Sequence, residues 1–516
     1  MHYKMAKKTF SGSNYKKLAI LVLIIGILMR FALASISHVS GDACWHLSIA
    51  RFVGENYQIP LFEDLGRDSV FSRPPLFHIM AAVLYNIFGI FGIAAAGFGL
   101  KMLSPLSGSL TLILFYLLIR KFFDEKLVFI AVSVLAFFPL HIYYSTISYV
   151  ESTVGLFALI SIFFMVEKRI ALSAIFAGMT ALLKFEGIFI FPVILSILFY
   201  NSRKNLKGFV KNGILFGMIA LIIFTPYLIR NLIYLGNPFW PHLSKFVPGY
   251  PVVDSAYLDS SISNLLDMNN LAIPYFELFG VPNGNYKLFS FFNVPFMGIL
   301  ILIWLIATLI YFSFFVYGII KSNKKSAPVA LALIWIAAYA VLVLFTTIFQ
   351  NLPQARFFVP AMPAFALIWA IGINESFRIK KLKKIIIPAI ILILVGFVSV
   401  EFAKTSYAAN AWDRYEDDFQ WIKANTGKYS TIFYTGQCLS YNTGRFTTNA
   451  YIPLTQEFTV PEKIAELEEA YIWVNQDFML EGQSILPKDI EKFVKNNYGL
   501  VYENRKTGTR LYKVKG

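Results

Sequence analysis

Successive runs of about twenty apolar residues decide what this chain can fold into. A helix that crosses a bilayer needs ~20 mostly apolar residues, because the hydrocarbon core is ~30 Å thick. Residues 18–36, 212–234, 293–320, 327–349 and 385–400 meet that length most clearly. Only 15% of the 516 residues are charged and 57% are apolar, against about 25% charged in a soluble domain. The chain therefore reads as a polytopic α-helical membrane protein. Ala32-Leu33-Ala34 resembles a signal-peptide cleavage site. The preceding run is long for a signal peptide and is interrupted by Arg30, so it reads as an uncleaved first span.

The net charge of +16 would suggest nucleic acid in a soluble protein. Here the basic residues gather in short loops between apolar runs, which is how membrane orientation is encoded. Six such segments hold 22 of the 46 Lys and Arg residues. They are the N-terminal tail, 120–126, 168–169, 203–211, 321–325 and 378–384. All six are expected to be cytoplasmic, which requires an even number of spans between neighbours. Three apolar stretches, 18–36, 75–93 and 98–119, separate the first two segments. The weakest is 75–93, with a Pro at its start, His78, Asn86 and two glycines. It is expected to lie along or dip into the outer leaflet rather than cross. About eleven transmembrane helices remain.

This parity sets residues 37–97 and 236–290 outside as external loops. Residues 1–403 form the transmembrane domain, and 404–516 a small extracytoplasmic α/β domain. The tail alternates an amphipathic stretch (DDFQWIKANTG), a β-like run (YSTIFYT), helical PEKIAELEEA, a strand (YIWVN), helical PKDIEKFVKNN and a hairpin (LVYENRKTGTRLYKV). Cys44 and Cys438 lie far apart and make no metal spacing. An external location would permit a disulfide, but none is expected.

The same parity gathers polar residues at the outer surface. Asp42 follows Gly41, which permits a tight turn, and His46 lies one helical turn further on. Glu151 sits where the chain turns between two apolar helices, and a boundary carboxylate is costly enough to suggest function. Arg73 precedes two stiffening prolines, and a guanidinium suits phosphate oxygens. Lys184, Arg230 and Arg356 are further basic groups at helix ends. Each alone would pass as a snorkelling or solvated side chain. Four cations on the side that carries two carboxylates suggest an anion-binding, acid/base site. Asp42, His46 and Glu151 would suit a divalent cation if they converged, a secondary option because spacing does not show convergence. No P-loop, dinucleotide-binding glycine motif, HExxH or CxxC pair is present.

Several segments, in order, carry a resemblance. They are GDACWHLSIAR, SRPPLFHIMAAVLYNIFG, FPLHIYYSTISYVES, GMTALLKFEGIFIFP, TPYLIRNLIYLGNPFWP and ARFFVPAMPAFALI, then DDFQWIKANTG and YNTGRFTT in the tail. Their order and spacing resemble the C-type (GT-C) membrane glycosyltransferases that use polyprenyl-phosphate sugars. That group includes the protein O-mannosyltransferases of glycosyltransferase family 39 and the lipid A aminoarabinose transferases. The resemblance implies transfer of a sugar from a dolichyl- or undecaprenyl-phosphate donor to a protein, lipid or glycan acceptor, on the outer face and with inversion. It makes Asp42 the catalytic base or acceptor-orienting group, puts Glu151 in the same site and sets Arg73 on the lipid phosphate. It extends more loosely to Arg230 and Arg356. Many relatives have Asp-Glu where this chain has Asp42-Ala43, which disfavours a two-carboxylate metal site. The Trp-Trp-Asp acceptor motif of oligosaccharyltransferases is absent. The competing reading is a transporter or flippase of lipid-linked glycans. Mid-span charges or symmetry between halves would favour it, and neither is visible.

Overall fold

A computed structural model describes residues 12–61, 71, 73–240, 268–280, 295–322, 326–350, 354–408, 413–433, 438–448, 469–475 and 488–515. The first half holds helices α1 (Gly12–Ile36), α2 (Asp42–Asn56), α3 (Leu76–Gly89), α4 (Ile93–Lys101), α5 (Leu103–Ile119) and α6 (Glu125–Phe137). There follow α7 (Pro139–Tyr144), α8 (Glu151–Val166), α9 (Ile170–Leu183), α10 (Phe191–Ser202) and α11 (Leu206–Leu235). The second half adds α12 (Met268–Leu278), α13 (Pro295–Lys321), α14 (Ala327–Gln350), α15 (Met362–Ser376) and α16 (Lys380–Ala408). Helices α17 (Glu416–Asn425), α18 (Cys438–Thr443) and α19 (Lys488–Asn497) belong to the tail. Two 3-10 turns, Phe185–Ile190 and Ala355–Ala361, precede α10 and α15.

Among the described residues, seven helices are long and apolar enough to cross a membrane, or nine if each of two bent pairs is one span. The expected count of about eleven is reached only with α8 and α9, which are 16 and 14 residues long and short of the ~20 a perpendicular span needs. Helix α3 has 14 residues, which at ~1.5 Å rise per residue is also too short to cross alone. The expected span at 98–119 is broken between α4 and α5 by a 43° bend, and that at 127–144 between α6 and α7 by a 54° bend. Phe138-Pro139 explains the second break, since proline opens α7 as its first residue and cannot continue the ladder from α6.

The chain divides into two compact units. The first comprises residues Met1–Ala34, Ser104–Thr146 and Val150–Lys404. Small residues bring its helices together. A Cβ at Gly318 would overlap the Ile368 carbonyl oxygen, and one at Gly372 that of Phe314, so α13 and α15 cross in backbone contact. Trp369 Nε1 donates to Tyr311 O at 2.7 Å in the same crossing. Between α8 and α9, Ser161 Oγ donates to Ser173 O at 2.8 Å and Ser173 Oγ to Ser161 O at 2.9 Å.

Arg30, which looked like an interruption of the first span, is fully buried in this unit. Its Nη1 donates to Gly26 O at 2.8 Å and Ala136 O at 3.2 Å, and its Nη2 lies 2.7 Å from His141 Nδ1. The cation thus covers carbonyls that the break after α6 leaves without helical partners, where the helix dipole also favours positive charge. Arg30→Met is expected to destabilise the fold by about 2–4 kcal/mol, read as a lower melting temperature of the purified protein in detergent. An unchanged melting temperature would mean that the bend holds without this cation.

The second unit comprises Ser35–Leu103, Ile147–Tyr149 and Thr405–Gly516. Its tail folds around a five-stranded sheet of order β2-β1-β3-β5-β4. The strands are β1 (Thr431–Phe433), β2 (Phe446–Thr448), β3 (Ala470–Val474), β4 (Gly499–Asn504) and β5 (Thr509–Lys515). β1 runs parallel to β2 and β3, whereas β5 is antiparallel to β3 and β4. Side chains alternate across β3: Ala470, Ile472 and Val474 join Phe433 and Val494, while Tyr471 and Trp473 join Phe419, Ile422 and Leu511. Both faces are covered, so the strand reads as a continuous apolar run. The expected helix at 461–470 lies almost wholly outside the described residues, and Ala470 opens β3.

The unit also corrects the expectation for the cysteines. Cys44 of α2 and Cys438 of α18 form a disulfide, with Cα atoms 4.9 Å apart. A sequence separation of 394 residues gave no local signal of the pairing. Arg51 reinforces it, donating from Nη2 to Ser440 O at 2.8 Å and from Nη1 to Tyr441 O at 3.1 Å. Phe446 packs against the Trp45, Ile49 and Phe71 cluster, so the segment after α1 and the tail share a core.

Candidate active site

In the second unit, Asp42 is the first residue of α2, behind Gly41 at φ 53°. That positive φ favours glycine. Asp42 and His46 stand at i and i+4, on one face of the helix. His46 Nδ1 lies 3.0 Å from His78 Nε2 of α3. The histidine pair sits among rings: Trp45 and Phe71 meet His78 edge-on, and Phe77 meets His46. Burial, helped by the charge of Arg73, holds the His78 imidazole down at about 3. His78 is therefore neutral near pH 7, and which ring carries the shared proton follows from the tautomers of the pair. The guanidinium of Arg73 stands 6.0 Å from the centre of the Trp45 ring. Sequence reasoning missed the partnership of His78, whose only local signal was a polar residue in an apolar helix.

In the first unit, Glu151 opens α8 and is almost completely buried. Its Oε1 accepts from Lys184 Nζ at 2.9 Å and lies 3.8 Å from Arg356 Nε. Its Oε2 is buried and makes no hydrogen bond among the described residues. Lys184 also reaches Glu186 Oε1 at 3.5 Å. Both cations lie against one ring, with Lys184 Nζ 4.8 Å and Arg356 Cζ 5.6 Å from the centre of Phe357.

Local sequence explains this convergence. Lys184 follows α9 in an extended conformation, and Gly187 N donates back to Lys184 O at 2.8 Å. A Cβ at Gly187 would overlap the Thr180 carbonyl oxygen, so the LLKFEG segment turns tightly enough to aim Lys184 at α8. Gly155 of α8 admits the other side: a Cβ there would meet Pro360 Cα at 3.3 Å. That approach brings the turn carrying Arg356 against the helix of Glu151.

The structure thus brings Glu151, Lys184 and Arg356 together. Arg230, near the end of α11, donates to Asn231 Oδ1 at 3.1 Å, and Asn231 Nδ2 donates to Pro238 O at 3.4 Å. Among the described residues no group of three His, Cys, Asp or Glu side chains is arranged to hold a metal ion, so the cation option at Asp42, His46 and Glu151 gains no support. The first unit carries further polar groups that sequence reasoning passed over. Glu277 of α12 is buried, Glu401 and Lys404 of α16 pair at 2.7 Å, and Lys404 Nζ lies 5.2 Å from the centre of the Tyr143 ring.

Residues 72–229 match the family described as dolichyl-phosphate-mannose-protein mannosyltransferase. No curated protein matches the chain by sequence. Among solved structures, the chain is similar to apo ArnT from Cupriavidus metallidurans at 12% identity and TM-score 0.64, covering 96% of this chain and 97% of that one. The same protein bound to undecaprenyl phosphate matches at 13% identity and TM-score 0.61, with the same coverage. The archaeal oligosaccharyltransferase AglB from Archaeoglobus fulgidus, in complex with an inhibitory peptide and a dolichol-phosphate, matches at 15% identity and TM-score 0.52, covering 96% of this chain and 74% of that one. Residues 72–229 thus match the mannosyltransferase family model, and along 96% of its length the chain has the fold of ArnT, the GT-C fold.

Proposed function

We propose that the protein transfers a sugar from a polyprenyl-phosphate donor to a hydroxyl-bearing acceptor at the outer face of the membrane. The observation that carries this reading is the cation pair Lys184 and Arg356, held on Glu151 inside an apolar helical unit. Two fixed cations suit the phosphate of a lipid-linked sugar, whose tail needs an apolar setting. Solved relatives in fold hold undecaprenyl phosphate and dolichol-phosphate, and the family match concerns a dolichyl-phosphate-mannose donor.

In this reading Asp42 accepts the proton of the acceptor hydroxyl. The acceptor oxygen attacks the anomeric carbon as its bond to the phosphate oxygen breaks. The polyprenyl phosphate leaves with the electron pair of that bond, and Lys184, Arg356 and Arg73 stabilise the charge that develops on it. Attack from the face opposite the phosphate inverts the anomeric centre. Glu151 holds the two cations in place on one oxygen. His46 and Arg230 belong to the substrate-binding surround. The loop charges support an extracytoplasmic site and tail in the plasma membrane, with residues 1–403 and 404–516 as the two domains.

Mass spectrometry of cell-envelope glycans in cells lacking the protein tests this reading. One sugar modification should disappear, return with the native chain and stay absent with Asp42→Asn. An unchanged glycan profile would overturn it.

A further inference from the structure

Glu277 lies on α12, in the described part of the second outer segment, and is only 6% exposed. Its Oε2 accepts the Ala355 backbone N–H at 2.5 Å. Ala355 begins the 3-10 turn Ala355–Ala361; Gln354 precedes it in an extended conformation, and no side chain of that residue caps the turn. A buried first N–H would otherwise lack a helical partner, so Glu277 takes the place of the missing cap. The next residue is Arg356, whose Nε lies 3.8 Å from Glu151 Oε1.

Glu277 is itself braced. Phe279 packs its ring against Phe138, Tyr311 and Trp369. Gly280, at φ 91°, offers its carbonyl to Lys404 Nζ at 2.7 Å. A Cβ at Gly280 would meet Glu401 Oε1 at 2.9 Å. These contacts fix the backbone just after Glu277.

We propose that Glu277 is a positioning residue for the donor: by holding the first N–H of the turn that carries Arg356, it makes the second outer segment part of the phosphate site. This rests on the donor reading above. The charge that acts on this carboxyl is that of Arg356, and Glu277 and Glu401 both act on the nearby Tyr143 hydroxyl. Burial pushes the Glu277 carboxyl up to about 7, against the opposing pull of the Ala355 N–H and Arg356. A neutral side chain with an acceptor oxygen in the same place should therefore serve nearly as well as the acid.

The test is binding of undecaprenyl phosphate to the full chain in nanodiscs. Arg356→Ala should weaken binding about tenfold or more, Glu277→Leu about five- to tenfold, and Glu277→Gln by no more than about threefold. Glu277→Asp keeps the charge but loses the reach, and should fall between Gln and Leu. The double variant Glu277→Leu with Arg356→Ala should bind no more weakly than Arg356→Ala alone, because Glu277 acts through Arg356. Additive losses would assign Glu277 to general packing and overturn the proposal, as would native binding by both Glu277→Leu and Glu277→Asp. Native binding by Arg356→Ala would instead remove the donor reading of the cation pair, and this proposal with it.

Discussion

Asp42→Asn is expected to lower the rate of sugar transfer at saturating donor by about 10³-fold, within the range that loss of a general base produces. The amide is isosteric with the carboxylate and can still open α2 behind Gly41. What it loses is the capacity to take the acceptor proton. Donor binding should change by less than about threefold, because Asp42 is assigned to the acceptor and not to the phosphate. The disulfide and the Arg51 contacts keep α2 on the tail, so the melting temperature should stay near that of the native chain. Purified variants assayed for turnover and donor binding separate these outcomes. A loss confined to donor binding would remove Asp42 from its assigned role.

Glu151→Gln should act differently. One carboxylate oxygen faces both Lys184 and Arg356, and the substitution removes that shared charge, leaving Lys184 its 3.5 Å contact with Glu186. Breaking a buried ion pair from one side costs about 3–5 kcal/mol. Part of that cost should be recovered when the donor phosphate binds, since its charge replaces the lost one. The expected result is a lower melting temperature without ligand and a larger rise on adding undecaprenyl phosphate than the native chain shows. Transfer should fall about 10²-fold through misplaced cations. Equal thermal shifts in native and variant protein would mean that the two cations do not meet the donor phosphate.

The membrane class was legible because it rests on local signals. Apolar runs and basic loops are properties of short windows, and the helices fall where those windows lie. The α/β tail was partly legible for the same reason. YIWVN, PKDIEKFVKNN and the KTG hairpin each carry their own period or turn residue, and they form β3, α19 and the β4–β5 pair. Strand β2 is only three residues long and has no pattern of its own; parallel pairing with β1 creates it. Non-local pairings were hidden. The Cys44–Cys438 bond joins residues 394 apart, and Glu277 finds Ala355 across 78 residues. Arg30 looked like a flaw in an apolar run because its distant partners, the last carbonyls of α6, are left open only once the Phe138-Pro139 break has formed. At the candidate site, residue type and position marked Glu151, Lys184 and Arg356, whereas their common oxygen is a property of the fold. Glu186, in the same KFEG segment, proved to be a second carboxylate on Lys184.

In the proposed reaction this chain consumes a polyprenyl-phosphate sugar, and Asp42 takes part in its transfer. The most direct measurement is release of free polyprenyl phosphate from a panel of labelled polyprenyl-phosphate sugars, with acceptor extract, by purified native protein and by Asp42→Asn. The native chain should release polyprenyl phosphate with time from at least one donor, with the sugar recovered on an acceptor, and the variant about 10³-fold more slowly. Release at equal rates by both proteins, or no release from any donor in the presence of the complete acceptor extract, would contradict it.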